Sequence, residues 1–329
     1  MAVYTKLSSR NITNLLSQYN IGSLISFKGI EEGVENTNYL IETTNGLYIL
    51  TLYESRTDDN DLPFFLGLMS HLKNEGIPSP HPIKGRDGKT FRKIEIVNDR
   101  SEKAIKTASI VSFMKGRAKK RPNTNDCGKL GRMLAKLHLT TQNYKYERKN
   151  SLSIESWRPL FEKIKFDIEK LKVGLSKEIN EELLFVTQKW PHNLPKGIIH
   201  SDLFPDNVFF LNHEISGIID FYFACNDFFS YEIAICINAW CFESSEEFNI
   251  SKARAMLRQY TKVRKLTSEE IEILPTLSRG AALRFFLTRT HDWFHTKNNI
   301  FIKPKNPLEY LNRLNFHRSV QDISAYGLN

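Results

Sequence analysis

The 329-residue sequence predicts an α+β protein in which a small antiparallel β-sheet is followed by a mostly helical part. Three observations lead to this prediction. The first hundred residues contain runs rich in β-branched and aromatic residues, and the later part has apolar residues at helical spacing. Within that helical part, one strand–turn–strand segment carries a cluster of polar side chains. The apolar fraction of 41% is that of an ordinary globular protein and supplies a sizeable core.

The predicted sheet comes from five runs of strand-forming residues in the first part of the chain. A tight turn, TNG at 44–46, separates the second run from the third. Between the third and fourth runs, residues 61–76 have a helical pattern that Gly76 closes. The five predicted strands cover 24–30, 37–44, 47–54, 92–98 and 106–114.

The helical part is predicted from repeated apolar spacing of three and four residues. In one of these segments Trp157, Phe161, Ile164 and Ile168 fall on one face, which is typical of core packing. The change of character predicts two lobes, 1–113 and 114–329. The predicted helical segments are 124–141, 156–174, 231–240, 251–265 and 280–294.

Composition and charge narrow the class of protein. The net charge is +9, and the densest basic run, KGRAKKR at 115–121, has no interleaved aromatic residues for base stacking. We interpret this run as a solvated loop and expect no nucleic-acid partner. Four cysteines without CxxC spacing predict free thiols. With no apolar stretch of membrane-spanning length and no signal pattern, we expect a cytoplasmic protein without a membrane partner.

The stretch GIIHSDLFPDNVFF, residues 197–210, places charged side chains in an otherwise apolar segment. Charged groups in apolar surroundings are costly unless they have a partner or a function. His200, Asp202 and Asn207 have the spacing of the protein-kinase catalytic loop H-R-D-L-x-x-x-N, with Ser201 in place of arginine. The alternative is a capped turn in which the acids accept backbone hydrogen bonds.

A second aspartate supports the kinase-like interpretation. Asp220 follows Asn207 by thirteen residues, on a strand-like segment, where a kinase has its metal-binding aspartate. Phosphoryl transfer needs a carboxylate near the acceptor hydroxyl and oxygen ligands for Mg²⁺. We therefore assign Asp202 to the hydroxyl and Asn207 with Asp220 to Mg²⁺, and expect His200 to brace the loop. Asp206, beside a proline, is interpreted as a turn residue without a catalytic role.

Segments throughout the chain, among them LTLYE, DLPFFLGLMSHL and HSDLFPDN, resemble the aminoglycoside-phosphotransferase and choline-kinase superfamily. Within it the sequence is most similar to the homoserine kinases of the bacterial kinase-fold type. The resemblance implies a protein-kinase-like bilobal fold, with a nucleotide-binding lobe at 1–113 and a catalytic and substrate-binding lobe at 114–329. It also implies Mg²⁺-assisted transfer of the γ-phosphate of ATP to the side-chain hydroxyl of L-homoserine, in threonine biosynthesis.

The resemblance also implies where the nucleotide binds. The segment GIEEGVENTNYLIE (29–42) stands where a kinase has its glycine-rich loop. Thr51 occupies the position of the usual phosphate-binding lysine, which leaves the phosphates without an assigned cation, and Lys28 is one candidate. The implied nucleotide-binding residues are Gly29, Gly33, Asn36, Thr51, Ser112, Phe113 and Met114.

Homoserine carries an ammonium and a carboxylate, so its site requires acidic groups and a planar arginine donor. Arg284 has no acidic residue within one helical turn in the sequence, and we predict that it holds the carboxylate. Arg289 has Asp292 one turn further on, so a substrate contact and a structural ion pair both remain open. Glu232 either braces the catalytic loop or meets the substrate ammonium.

Two other functions are compatible with the same motifs. A kinase for choline or an aminoglycoside would need an acidic site for a cationic acceptor, whereas the last hundred residues are rich in lysine and arginine. A nucleotide-binding pseudokinase that serves as an interaction module is supported by the absent lysine alone. The joint presence of Asp202, Asn207 and Asp220 favours an active enzyme.

Overall fold

The computed structural model describes residues 5–30, 36–54, 58–97, 103–244, 246–296 and 304–328. These residues divide into two compact units. The first unit contains the chain up to Lys115 together with Gly217–Tyr222, and the second contains the other described residues. Asp220 therefore belongs to the first unit, whereas the catalytic-loop sequence belongs to the second. The lobe boundary placed between residues 113 and 114 stays a prediction.

The first unit contains a five-stranded antiparallel sheet with the order β1-β2-β3-β5-β4. Buried positions alternate along β2, as expected for a strand with one face on a core. Gly46 closes the turn into β3 with a φ of 139°, a conformation that favours glycine. The strands are β1 (Leu24–Ile30), β2 (Thr37–Thr43), β3 (Gly46–Tyr53), β4 (Phe91–Val97) and β5 (Lys103–Ser112).

Helix α1 (Ser9–Leu16) packs on one face of this sheet, and the sequence did not predict it. Its residues Ile12 and Leu15 join a buried cluster with Ile41 and Leu50. Because side chains alternate along a strand, neighbouring residues such as Thr51 point to the opposite face. Asn38 and Glu42 of β2 lie on that second face together with Thr51.

Helix α2 (Leu62–Asn74) follows β3, close to the predicted segment 61–76. Its chain reverses at Gly76, which has a φ of 80°. The five strands confirm the predicted antiparallel sheet, but the first part of the chain contains two helices, α1 and α2, where the sequence predicted one.

The second unit is mostly helical. Helix α3 begins with a capping box in which Asn123 and Asp126 exchange side-chain to backbone hydrogen bonds. The apolar face predicted on α4 is confirmed, because Trp157, Phe161 and Ile164 are buried. The helices are α3 (Thr124–Thr141), α4 (Ile154–Leu171), α5 (Leu175–Lys189), α6 (Phe229–Trp240), α7 (Ile250–Thr261), α8 (Ser268–His295) and α9 (Leu308–Ser319).

Helix α8 differs most from the prediction, which placed a helical pattern only at 280–294. The helix begins at Ser268, after a capping box between Thr267 and Glu270. Pro275 lies inside it, so a residue that usually breaks helices is tolerated in the first half of the element. Helices α5 and α9 were not predicted from spacing at all.

Short strands flank the catalytic-loop sequence. The basic run interpreted as a solvated loop contributes β6 (Arg117–Ala118), which pairs with β8 (Val208–Leu211). β9 (Glu214–Ile218) completes this sheet. The turn between β8 and β9 therefore contains only Asn212 and His213, whereas the sequence predicted a turn over 211–217. β7 (Lys196–Ile199) pairs with β10 (Cys225–Phe228).

One placement of a site residue is corrected by these strands. Asp220 was expected on a strand, but β9 ends at Ile218. The backbone of Asp220 has a φ of 66°, which lies in the left-handed region and cannot continue a strand.

The described residues include no helix that is both long and apolar enough to cross a membrane. All four cysteines are free, as predicted, and all four are buried. The predicted α+β class is confirmed.

Candidate active site

The catalytic-loop sequence lies between β7 and β8 in the second unit. β7 ends at Ile199, and Ser201 then takes a left-handed φ of 65°, which turns the chain out of the strand. A single 3₁₀ turn at Pro205–Asn207 leads into β8. The loop is therefore fixed at both ends by strands, which suits a site that must hold its side chains in one geometry.

Within this loop, His200, Asp202 and Asn207 lie together as their spacing predicted. The side-chain amide of Asn207 donates to the main-chain oxygen of Asp202 at 2.8 Å and to its Oδ2 at 3.3 Å. The main-chain N–H of Asp202 donates to Nδ1 of His200 at 3.3 Å, and His200 is almost fully buried. These contacts support a bracing role for His200 and leave the half-buried Asp202 carboxylate available for an acceptor.

The main-chain N–H and C=O groups of Ser201 each form a hydrogen bond with a buried charged side chain. Its N–H donates to Oε1 of Glu232 at 2.7 Å, and its carbonyl oxygen accepts from Nη1 of Arg284 at 3.0 Å. Glu232 is fully buried and Arg284 is 3% exposed. The position of Glu232 thus favours bracing of the loop over contact with a substrate ammonium.

Glu232 is the inner end of a longer buried hydrogen-bond chain that sequence reasoning missed. Its Oε2 lies 2.9 Å from Nε2 of His138, whose Nδ1 lies 2.8 Å from the hydroxyl of Tyr260. Arg264 donates to that hydroxyl through Nη1, and its Nη2 donates to both carboxylate oxygens of Glu270. The only sequence signal for this chain was a histidine on the apolar face of α3.

The protonation of His138 follows from its surroundings. Burial lowers the pKa of His138, although the hydrogen bond to Glu232 acts in the opposite direction. A neutral imidazole that donates from Nε2 to Glu232 and accepts at Nδ1 from Tyr260 satisfies every partner. This series of hydrogen bonds therefore holds Ser201, and with it the catalytic loop, through groups that all have partners.

The electrostatic setting of Asp202 also distinguishes it from a surface carboxylate. Burial raises the pKa of the Asp202 carboxyl, and the positive charges of Arg284 and Lys305 lower it in part. Asp206 lies close enough to raise it further, but its own side chain is exposed and paired with Lys305 at 3.3 Å. A buried carboxylate with nearby positive charges is a candidate for a reacting group.

The two arginines predicted for the substrate carboxylate have different surroundings. Arg284 donates to the Ser201 carbonyl and stacks on the ring of Phe285, and its buried Nε has no hydrogen-bond partner among the described residues. Nη1 of Arg289 donates to Oε2 of Glu309 at 2.6 Å. Glu309, on α9, is thus an ion-pair partner of Arg289 that helical spacing did not predict.

In the first unit, the predicted nucleotide residues lie on the second face of the sheet and at its end. The hydroxyl of Thr51 donates to Oδ1 of Asn38 at 2.8 Å. Next to it, the hydroxyl of Tyr53 lies 2.7 Å from Oγ of Ser109 and 3.3 Å from the hydroxyl of Tyr222. Thr51, which was predicted to replace the kinase lysine, therefore has a hydroxyl that is bonded within the sheet.

The remaining predicted nucleotide residues are placed as follows. Gly29 lies in β1, Gly33 lies outside the described residues, and the buried Asn36 accepts from the main-chain N–H of Glu54. Ser112 ends β5 and exchanges hydrogen bonds with the main chain of His81. The main-chain N–H of Phe113, which follows Ser112, donates to the carbonyl oxygen of Leu47 at 3.4 Å. Lys28, the candidate cation, is exposed on β1.

Two features fit the predicted ATP and Mg²⁺. No described residue forms a hydrogen bond with the main chain of Met114, which leaves its N–H and C=O for a purine edge. Oδ1 of Asn207 likewise has no partner among the described residues, since only the amide nitrogen of this side chain is engaged. An amide oxygen is among the oxygen ligands that Mg²⁺ takes in proteins.

Comparison with known proteins agrees with this geometry. The phosphotransferase enzyme family matches the chain over residues 26–266. The homoserine kinase of Parvibaculum lavamentivorans is 49% identical over 328 residues, covering 100% of this chain and 99% of the relative. The homoserine kinase of Rhodospirillum rubrum is 50% identical over the same length, with the same coverage.

A solved structure supports the fold. An amicoumacin kinase in complex with AMP-PNP, Ca²⁺ and Ami superposes with a TM-score of 0.70, covering 94% of this chain and 92% of the other. The sequences are 16% identical, so this likeness concerns the fold alone. The kinase-like fold that the catalytic-loop motif and the resemblance predicted is confirmed, and the chain belongs to the phosphotransferase enzyme family and, within it, to the homoserine kinase family.

Proposed function

We propose that this chain transfers the γ-phosphate of ATP to the side-chain hydroxyl of L-homoserine and so forms O-phospho-L-homoserine for threonine biosynthesis. The observation that carries the proposal is the identity of 49% and 50% with two homoserine kinases along the whole chain. The intact constellation of His200, Asp202 and Asn207 supports an active enzyme over a pseudokinase.

In the proposed reaction, Asp202 accepts a hydrogen bond from the acceptor hydroxyl and takes its proton as the oxygen attacks the γ-phosphorus. The bond between that phosphorus and the β-bridging oxygen breaks, and ADP leaves. Asn207 keeps the Asp202 carboxylate oriented through its amide, 3.3 Å from Oδ2. The raised pKa of Asp202 makes it a better proton acceptor than an exposed aspartate, provided that it is ionised at the working pH.

The proposed metal ligands are Oδ1 of Asn207 and the carboxylate of Asp220. Bound Mg²⁺ neutralises charge that develops on the phosphate oxygens. For the nucleotide, we propose main-chain contacts at Ser112, Phe113 and Met114. Gly29, Gly33, Asn36 and Thr51 complete the proposed nucleotide contacts. The proposed compartment is the cytoplasm.

The testing experiment is an assay of the purified protein with ATP, Mg²⁺ and one acceptor at a time. Homoserine, serine, choline and kanamycin form the panel, and ADP release and the phosphorylated product are both measured. We expect efficient turnover with homoserine and little with the other three. Preferred turnover of choline or kanamycin would overturn the proposal, and binding of ATP without turnover of any acceptor would favour the pseudokinase.

A further inference from the structure

A pocket of about 420 Å³ lies within the second unit, beside the catalytic loop. Phe204, Pro205 and Asp206 of that loop form part of its wall. Seven lysines and arginines and three acidic residues line it, so its net charge is positive. A pocket with this balance favours a ligand that carries a carboxylate over a purely cationic one.

Lys305 connects this pocket with the reacting group. It lines the pocket, lies 5.2 Å from the ring centroid of Phe204, and is one of the charges that lower the pKa of Asp202. The wall of the pocket begins two residues after Asp202, because Phe204 lines the pocket and its main-chain N–H donates to the main-chain oxygen of Asp202 at 2.8 Å. The pocket therefore lies beside Asp202 and offers space for the rest of an acceptor molecule.

Arg289 is held in this pocket in a fixed orientation. Its Nη1 donates to Oε2 of Glu309 at 2.6 Å and to the carbonyl of Asn306 at 3.4 Å, and its guanidinium lies 4.3 Å above the ring of Tyr310. Arg313 contacts the other oxygen of Glu309 and lies over the same ring, so Glu309 is itself fixed. An ion pair and a stacked ring together restrict the rotation of the guanidinium plane.

This arrangement leaves one edge of the Arg289 guanidinium unused. Where the structure describes the chain, no residue accepts a hydrogen bond from its Nε or Nη2. These are the two N–H groups with which an arginine binds a carboxylate side-on. Arg279, on the same helix, shows that geometry, with Nε 2.7 Å and Nη2 2.6 Å from the two oxygens of Glu182.

We infer that the Nε–Nη2 edge of Arg289 binds the α-carboxylate of the acceptor amino acid while its hydroxyl lies at Asp202, an inference that rests on the proposed function. The contact makes Arg289 a specificity-determining residue, because an acceptor without a carboxylate leaves the edge unpaired. This assignment replaces the sequence-based one for Arg284, whose Nη1 is used by the Ser201 carbonyl.

The test compares L-homoserine with 3-aminopropan-1-ol, which is homoserine without its carboxylate, in the wild-type chain and in Arg289→Lys. Lysine keeps the charge but has no planar pair of donors. We expect kcat/KM for homoserine to fall about ten- to a hundredfold in the variant, mainly through KM, as for loss of charge-assisted hydrogen bonds. The value for 3-aminopropan-1-ol and the Kd for ATP should stay unchanged.

Arg279→Lys is the matched control, because it makes the same change on the same helix at an arginine whose edge is occupied by Glu182. It should leave the preference for homoserine over 3-aminopropan-1-ol intact. An unchanged preference in Arg289→Lys, or equal losses for both acceptors, would overturn the inference while homoserine turnover by the wild type upholds the proposed function. A wild type that does not phosphorylate homoserine would overturn the proposed function itself.

Discussion

At the scale of single residues, the catalytic loop depends on a backbone conformation that serine does not favour. Ser201 has a φ of 65°, and a left-handed conformation costs a residue other than glycine roughly 1–2 kcal/mol. Both main-chain polar groups of Ser201 are bonded to buried side chains: its N–H donates to Glu232, and its C=O accepts from Arg284. The charge-assisted hydrogen bonds maintain the strained turn that places Asp202 beside Asn207.

Replacement of Asp202 by asparagine tests its role as the proton acceptor. We expect kcat to fall by about 10²–10⁴-fold, the usual worth of a positioned general base, because an amide cannot take the hydroxyl proton. The measurement is kcat with saturating homoserine and ATP. The Kd for ATP and the circular dichroism spectrum should match those of the wild type, and near-normal kcat would exclude Asp202 as the base.

The pH dependence of the reaction should report the ionisation of the same carboxyl. Activity falls as the pH drops through the pKa of Asp202, because the protonated acid cannot accept a proton. Burial raises this pKa, so the acid limb of kcat/KM should lie above 3.8, the ordinary value. Lys305→Met removes a positive charge that lowers the pKa, and should move the limb to higher pH.

Two controls make the pH prediction specific to that charge. Lys177→Met removes an exposed lysine on α5 and should leave the limb in place. Since the side chain of Lys305 is 59% exposed, high salt should reduce the difference between Lys305→Met and the wild type. A limb that does not move in Lys305→Met at low salt would contradict the assignment of this pH dependence to Asp202.

At the scale of elements, the parts that the sequence predicted well are those in which contact follows from nearness along the chain. His200, Asp202 and Asn207 share one short loop, so their spacing was enough to bring them together. The strands of the sheet were likewise predicted from local alternation. Asp220 was placed on a strand because its apolar neighbours suggest one, but its left-handed backbone cannot be read from composition.

The parts that the sequence did not predict depend on packing between elements. Arg289 meets Glu309, twenty residues further on, because α8 packs against α9. Helical spacing offered only Asp292 as its partner. The buried chain from Glu232 through His138 to Tyr260 joins three helices in the same way. Such contacts have no signature in a single sequence.

The packing of α3 against α7 gives a prediction at this scale. A Cβ added at Gly131 would lie 2.1 Å from the main-chain oxygen of Met256, so the two helices would have to move apart. We expect Gly131→Ala to lower the free energy of unfolding by about 1–3 kcal/mol, the usual cost of overpacking. Urea unfolding followed by circular dichroism measures this change.

Gly128 provides a control on the same helix. A Cβ there would meet Cγ of Gln259 at 3.4 Å, an ordinary contact with a flexible side chain. Gly128→Ala should therefore be neutral or stabilise the fold by up to about 1 kcal/mol, since alanine favours a helix over glycine. Equal effects of the two substitutions would show that helix propensity, and not close approach to α7, decides both.

At the scale of the whole molecule, we infer that the surplus of positive charge favours anionic small molecules over cationic ones. The chain carries a net charge of +9, and the pocket beside the catalytic loop is itself positive. Part of the basic run at 115–121 lines that pocket: Lys119, Lys120 and Arg121. A run interpreted from sequence as a solvated loop thus helps to form the charged wall of a pocket.

The metal-binding proposal is also tested on the whole molecule, through its stability. A ligand that binds only the folded chain stabilises it by about 2.7 kcal/mol at a concentration of 100 times Kd. ATP with Mg²⁺ should therefore raise the Tm of the wild type more than ATP with EDTA. We expect Asp220→Asn to abolish this Mg²⁺-dependent part, because the charged metal ligand is lost.

The choice of asparagine keeps the test clear of a folding defect. Asp220 has a φ of 66°, which asparagine tolerates better than alanine does, so the backbone of the variant should not change. Glu95→Gln, an exposed acid on β4 in the same unit that pairs with Lys103, makes the same acid-to-amide change elsewhere. It should retain the full Mg²⁺-dependent rise in Tm. If Asp220→Asn also retains this rise, Asp220 does not bind the metal. If both variants lose the Mg²⁺-dependent rise in Tm, the loss reflects a general effect of charge.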